Sequence, residues 1–380
     1  MKARVMAVSL KGEIEEYALD LGFDGVGFAA VDPFTGLTQA LREREEGYRW
    51  TEQVLQLNRA ADPRVVMPAA RTLIVLLYDY HKLSFPAALL GKVGRVYLAR
   101  LYPGRTRIFG SRLRLFRSFL EQKGMTVELR QTLPDRQAAV RAGLGTFGRN
   151  TFVHFPGRGS FVAPVVMAVD AELGGVFNEV GSRCPEDCNR CIEACPTGAL
   201  YEPFKIDPLR CISFQTYCAG NVPGCPPDIP PEIREKMGSW VYGCDICQEV
   251  CPRNQSRLKQ KLPSDPYLKK IAPHFTLEKL LNMGEDYYRA RVQPLLYGYI
   301  WEKKFLQRNA AIALGNSAGE AALPHLSRSL SDKEPLVRRY SAWAVGRIGG
   351  RKGRALLERH RGRENDPGVL AETGAALEQL

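Results

Sequence analysis

All ten cysteines of this 380-residue chain fall between Cys184 and Cys251. Sulfur gathered in this way constrains the fold more than any apolar run, because disulfides, metal or redox chemistry must account for it. One group reads Cys184-Pro-Glu-Asp-Cys188-Asn-Arg-Cys191-Ile-Glu-Ala-Cys195-Pro196; a second reads Cys244-Asp-Ile-Cys247-Gln-Glu-Val-Cys251-Pro252, and Cys211 stands between them. A secreted disulfide framework normally occupies a short, loop-rich chain behind a signal peptide. This chain is long, and residues 1–10 hold two basic residues but no long apolar core and no twin-arginine pair, so no export signal is expected. Clustered thiols in such a chain point to metal in a reducing cytosol.

Zinc would use four cysteines in two pairs and would leave both Cys-x-x-x-Cys-Pro endings unexplained. Those endings match the bacterial ferredoxin pattern, in which a group gives three ligands to one 4Fe–4S cluster and its Cys-Pro cysteine crosses to the other. Two such clusters take eight thiolates, and the segment has ten. The regular pattern has two residues between the first pair, whereas three separate Cys184 from Cys188. Either an altered loop still brings Cys184 to iron, or another group replaces it. Cys218 and Cys225 are surplus. They read as buried or free thiols, or as substitutes for an irregular ligand, or as contacts to a cofactor or substrate.

A hydrophobic content of 45% and a charged content of 25% are ordinary for a soluble globular protein. No run of eighteen apolar residues occurs, so no membrane span is expected. The 53 basic and 41 acidic residues leave a formal charge of +12, which favours an anionic partner such as nucleic acid without proving one.

Residues 9–29 read as a helix followed by a strand, 36–57 as helical and 73–78 as a strand. Over 109–124, Phe109, Leu113, Phe116 and Leu120 share one helical face and Gly124 is a plausible stop. Residues 137–147 begin helical and enter the Gly143-Leu-Gly145 turn, and 160–169 read as a β-branched strand. The expected architecture is an α/β (α+β) domain over 1–175, a ferredoxin-like double-cluster segment over 176–263, a helical linker over 264–300 and all-α HEAT-like repeats over 301–380. The repeats are read from "RNAAIALGNSAGEAALPHLSRSL" and "PLVRRYSAWAVGRIGGRKGRALLERHR", each an Arg with small residues, a Gly turn and a second apolar helix.

Taken together, these pieces resemble the epoxyqueuosine reductases, cobalamin-dependent iron–sulfur enzymes of tRNA queuosine modification related to reductive dehalogenases. The resemblance runs through "LGFDGVGFA", "DPRVVMPAARTLIVLLY", "RAGLGTFGRNT", "GSFV", "CNRCIEACPTGAL", "RCISF", "YGCDICQEVCPRN", "LQRNAAIALGN" and "RRYSAWAVGRIGG", nearly the whole length. It implies one cluster on Cys184, Cys188, Cys191 and Cys251 and another on Cys195, Cys211, Cys244 and Cys247. It also implies a nitroreductase-like N-terminal domain holding a base-off corrinoid, with Arg100, Gly143, Gly145, Asn150, Gly159 and Ser160 as binding residues. Read from the residues alone, Gly143, Gly145 and Gly148 allow close approach of a flat ligand or simply serve turns.

The chain departs from the family where the proposed proton donor belongs. Six residues before Asp135 the family has an aspartate; this chain has Leu129, flanked by Glu128 and Arg130. Glu128 and Asp135 are the nearest candidate acids. An Asp-Tyr-His stretch of the family is replaced by Thr106-Arg107-Ile108. The implied function is reduction of epoxyqueuosine to queuosine in tRNA, by a cytoplasmic monomer fed by an external low-potential electron donor. The arginines of 95–117, with Arg338, Arg339, Arg347, Arg351, Lys352 and Arg354, fit RNA backbone contact. The alternatives are a divergent corrinoid reductase for a small molecule, and an electron-transfer or corrinoid-handling protein without tRNA activity.

Overall fold

The computed structural model describes residues 9–54, 56–98, 108–129, 132–177, 181–294, 296 and 302–380. Helix α1 (Leu10–Asp20) leads into strand β1 (Gly25–Ala30), followed by helices α2 (Thr35–Glu43) and α3 (Glu45–Val54) and strand β2 (Thr72–Asp79). Helix α4 (Ile108–Gln122), strand β3 (Val127–Glu128), helix α5 (Asp135–Arg141), the hairpin strands β4 (Thr146–Phe147) and β5 (Val153–His154) and strand β6 (Val162–Val169) come next. The main sheet has the order β1-β2-β6-β3, antiparallel throughout.

The unbroken apolar run of β2 follows from its central place. Successive strand residues face opposite sides. Ile74 and Leu76 enter one core with Phe28, Phe109, Phe116 and Met167, while Leu73, Val75 and Leu77 enter another with Ala29, Ala138, Val166 and Ala168. Helices cover both faces, so an alternating polar residue would be buried without a partner. Helix α4 lays Phe109, Leu113, Phe116 and Leu120 on the first core, as its periodicity requires, and Gly124 (φ +85°) turns the chain away.

Beyond the cysteine-rich segment, which contains helix α6 (Ile212–Tyr217), the chain becomes helical: α7 (Leu277–Leu281), α8 (Lys303–Ser317), α9 (Leu323–Ser329), α10 (Pro335–Ile348), α11 (Gly350–Arg361) and α12 (Pro367–Glu378). The stretch 264–300, expected as a linker, places Leu268, Ile271, Phe275, Leu280 and Leu281 in the same core as α8 and α10. It is a layer of that body, because its apolar residues have nowhere else to be covered.

The internal repeat has a steric cause. Gly315 and Gly346 hold equivalent positions inside helices: a Cβ on Gly315 would come 2.9 Å from Ala344 Cα, and one on Gly346 2.6 Å from Ala376 Cβ. They are crossing points where two helix backbones nearly touch. The turns fall later, at Gly319 (φ +57°) and Gly349 (φ +75°).

Helix α8 also grips the cysteine-rich segment. The fully buried Arg308 guanidinium donates to the carbonyls of Ala219 (3.0 Å), Pro227 (2.6 Å) and Gln215 (3.2 Å). Asn309 Nδ2 donates to the carbonyls of Thr216 (2.7 Å) and Val241 (2.9 Å). Burial lowers the Arg308 pKa to about 10, so the side chain still carries its charge at neutral pH. Replacing Arg308 by Met keeps the stem and strands three carbonyls; a loss of about 3 kcal/mol or more is expected, since buried groups left without partners cost about 1–3 kcal/mol each. Thermal melting checks this, and an unchanged midpoint would show that the clamp is dispensable.

Candidate active site

The two cysteine groups meet through two short helices. Residues Arg190–Glu193 and Ile246–Glu249 pack against each other, each with a Cys-Pro cysteine shortly after it. A residue before proline is driven to extended backbone; Cys251 adopts it (φ −71°, ψ 123°). The chain therefore leaves the helix at that point, and the last cysteine of each group is delivered to the opposite set.

Two quartets result. Burial, then the neighbouring thiols Cys251, Cys184 and Cys188, push the Cys191 thiol up to about 11. Cys251 is likewise raised by burial, with Cys184 and Cys188 adding to it. In the other quartet, Cys247 is raised by burial and then by Cys244, Cys211, Asp245 and Cys195. Cys244 is raised by burial, then Cys211, Asp245 and Cys195. Among the described residues, no three Cys, His, Asp or Glu side chains close on one point as a single ion would require. Thiols grouped in this way, two of them buried and six half-buried, suit a cationic core that would hold them as thiolates.

The irregular spacer before Cys188 is absorbed locally. Cys188 N donates to Pro185 O (3.2 Å), a turn that folds the extra residue out. Arg149 pins this loop through Glu186 O (2.8 Å) and Asn189 Oδ1 (2.9 Å). Cys184 thereby stays with its quartet.

A cleft opens beside the second quartet. One cavity of about 430 Å³ is walled by Cys211, Cys244, Cys247, Tyr80, Tyr97, Asp135 and Asn150. A second of about 610 Å³ is lined by Phe34, Arg44, Gln137, Phe147 and Phe177. Tyr48, Arg136, Thr151 and Ile206 border both, so the two adjoin. The walls are mostly apolar with a few polar groups, as in sites for large cofactors.

Two family models match the chain: a 4Fe-4S double cluster binding domain over residues 183–254 and HEAT repeats over 302–378. The chain is 30% identical to the epoxyqueuosine reductase of Bacillus cereus over 385 residues, covering 98% of this chain and 97% of the relative. The chain belongs to the epoxyqueuosine reductase family. A solved epoxyqueuosine reductase carrying an epoxyqueuosine-modified stem loop of tyrosine tRNA superposes with a TM-score of 0.82 at 28% identity, covering 98% of both chains. That of Bacillus subtilis, with its catalytic aspartate loop swung out of the active site, gives 0.81 at 30% identity over 98% of this chain and 99% of its own. This family member therefore has a double-cluster domain, a mixed α/β body and HEAT repeats, and among its described residues no helix is long and apolar enough to cross a membrane.

The residues expected around the corrinoid fall in different places. Arg100 lies outside the described residues. Asn150 lines the cleft, and its Nδ2 donates to Cys247 O (3.2 Å). Gly143, Gly145, Gly159 and Ser160 do not line it. Gly143 (φ +75°) ends helix α5, and a Cβ on Gly145 would come 2.8 Å from His154 O. Ser160 Oγ donates to Gln248 Oε1 (2.8 Å), and Ser160 N donates to Asn254 Oδ1 (2.9 Å), tying the sheet domain to the cluster segment.

The two candidate acids separate in the same way. Asp135 borders the cleft deep in the protein; its Oδ1 accepts from Val166 N (3.1 Å), and burial raises its pKa to about 7. Glu128 lies on β3 opposite Ala168 and borders neither cavity, and Leu129 packs on the core of Phe109 and Phe116.

Sequence reading missed Tyr48, Tyr80, Tyr97, Arg136, Thr151 and Asp245. They come from separate stretches without periodicity, and only Asp245, set between two cysteines, carried a local hint. Asp245 is buried and paired with Arg95 (3.0 Å). Thr151 holds a left-handed backbone (φ +67°) unusual for a β-branched residue, at the wall shared by both cavities.

Gly159 (φ +63°) has no room for a Cβ, which would collide with Asn254 Oδ1. Gly159→Ala is expected to cost about 1–3 kcal/mol through backbone strain and a broken Ser160–Asn254 contact. A lower melting temperature and less iron retained on purification would register it; wild-type values of both would count against this latch.

Proposed function

We propose that this chain reduces epoxyqueuosine to queuosine in tRNA, using two 4Fe–4S clusters and a corrinoid. The observation that carries the reading is a carboxyl, Asp135, in a cleft whose wall is also the second cysteine quartet. The clusters would pass single electrons and the corrinoid would supply a strongly reducing metal centre facing the substrate.

The protein's own residues do the rest. Cys184, Cys188, Cys191 and Cys251 would hold the outer cluster, where exposed Arg183, Pro185 and Glu186 offer an external electron donor access. Cys195, Cys211, Cys244 and Cys247 would hold the inner one beside the cleft. The apolar walls Val153, Val162, Ala163 and Pro164 keep water from the reacting face, and Asn150 offers an amide to a corrinoid edge. An epoxide oxygen must be protonated as it leaves. Asp135, half protonated near pH 7, can donate that proton, and Val166 N holds its other oxygen in place.

For tRNA, the cationic face narrows. Arg338 is committed to Glu364 (2.6 and 2.9 Å), Arg339 to Asp228, and Arg347 lies 4.0 Å from Glu235. Lys352 Nζ donates to Glu320 (2.8 Å), which leaves the exposed Arg351 and Arg354 of α11 as the side chains that suit a phosphate backbone. Thiolate ligands and a tRNA substrate both suit a reducing cytoplasm.

With cofactor-loaded enzyme and tRNA bearing epoxyqueuosine, Asp135→Asn should lower queuosine formation about 10²-fold or more, the usual weight of a general acid. Glu128→Gln should stay within about twofold, as expected of a residue off the reaction path. Because the protonated form is the donor, wild-type activity should decline as pH rises through about 7. Full activity of the Asn variant, or loss of activity in the Gln variant alone, would transfer the role to another acid. Cofactor uptake without any queuosine would favour the small-molecule reductase, a reading suggested by Leu129 at the family's acid position.

Cys211→Ala should leave about half the iron, since one cubane loses a ligand and the other keeps all four. Full iron content would show that Cys211 is not a ligand.

A further inference from the structure

Arg95, grouped by sequence with the RNA-facing arginines of 95–117, turns inward instead: its side chain is only 10% exposed. Its backbone N–H (2.8 Å) and its Nη1 (3.0 Å) both donate to Asp245 Oδ2, and Nη1 also donates to Glu249 Oε1 (2.7 Å). The guanidinium lies 5.7 Å from the centroids of the Phe85 and Phe161 rings. Asp245 stands between Cys244 and Cys247, and its side chain is 3% exposed. Its second oxygen accepts from Gln248 Nε2 (3.0 Å). Three N–H groups thus point at the two oxygens, the pattern of an ionised carboxylate.

The stretch that carries Arg95 is locked to the same turn. Val93 forms a parallel bridge with Tyr242, Gly94 N donates to Tyr242 O (2.8 Å), and Val241 N donates to Lys92 O (2.8 Å). Gly243 (φ +80°) has no room for a Cβ, which would strike the Tyr97 ring. Tyr97 Oη and Ser213 Oγ share a hydrogen bond (3.0 Å), two residues past Cys211. Residues 93–97 therefore lie against the chain beside Cys211, Cys244 and Cys247, and the charge of Arg95 is fixed there by backbone contacts.

A buried charge acts in low permittivity and is poorly screened by salt. Cluster potentials respond to net charge and to nearby hydrogen bonds. An unpaired Asp245 carboxylate would oppose an electron arriving at the inner quartet. We propose that Arg95 is a positioning residue that sets the reduction potential of the inner cluster by holding a positive charge against Asp245. This rests on Cys195, Cys211, Cys244 and Cys247 binding a 4Fe–4S cluster. The step concerned is the gain of one electron from a low-potential donor; no bond forms or breaks, and Arg95 keeps its proton.

Anaerobically purified holoenzyme is titrated with dithionite in the presence of redox mediators, and electron paramagnetic resonance follows the reduced clusters. Cys211→Ala, which should keep only the outer cluster, marks the outer midpoint. Arg95→Gln should lower the inner midpoint by about tenfold in the reduction equilibrium, about 59 mV for one electron, and leave the outer one in place. Asp245→Asn should raise the inner midpoint by a similar amount, and the double variant should return close to wild type. A merely structural brace gives no opposite shifts that cancel. Inner midpoints unchanged in both single variants, or moved in the same direction, overturn the proposal. A folded Arg95→Gln protein that has lost inner-cluster iron makes the pair a brace and overturns it as well. Should Arg95→Gln fail to fold, Asp245→Asn decides alone: a raised inner midpoint upholds control by charge, and an unchanged one overturns it. Wild-type protein with iron for one cluster or none defeats the ligand reading instead, so iron content separates the two failures.

Discussion

Eight cysteines gathered into two groups would repel one another as thiolates unless a cationic core lay between them. Burial and neighbouring sulfur raise Cys191, Cys244, Cys247 and Cys251 together, so in the absence of metal each would rather keep its proton. Metal affinity and folding of this segment are thereby coupled. The surrounding contacts serve that coupling: Arg149 ties down the irregular loop, Asn150 meets Cys247 O, and Ser160 binds Gln248 and Asn254.

The same segment is held between two bodies with different cores. From the sheet domain, Asp79 pairs with Arg257 (2.7 Å), and Arg95 with Asp245 (3.0 Å) and Glu249 (2.7 Å). From the helical body come Arg308, Asn309 and the two-bond contact of Arg234 with Glu372 (2.9 and 3.0 Å). A loop-rich stretch with little core of its own is made rigid by charged and amide groups on both sides. That rigidity sets the second quartet against the cleft, which lies where the sheet domain and the cluster segment meet.

The elements with one dominant physical signal were legible in the chain. The apolar run of β2 and the spacing of Phe109, Leu113, Phe116 and Leu120 each report a buried face. The Cys-Pro endings announced that the last cysteine of each group crosses to the other. The glycines were harder, because one residue type serves opposite ends. Gly315 marks a helix crossing, and Gly159 admits a neighbour's amide where a cofactor was expected. The stretch 264–300 looked like a spacer because its helices are short, yet its leucines complete the C-terminal core.

By itself, the sequence determined the double-cluster chemistry, the family, the mixed α/β start and the helical repeats, since each rests on local spacing that survives without coordinates. Only the tertiary structure decided which carboxyl meets the cleft, that Cys184 rejoins its quartet past an extra residue, and that Cys218 and Cys225 share a pocket. Those facts depend on distances between residues far apart in the chain, or on how a loop closes, and spacing along a polymer does not encode either.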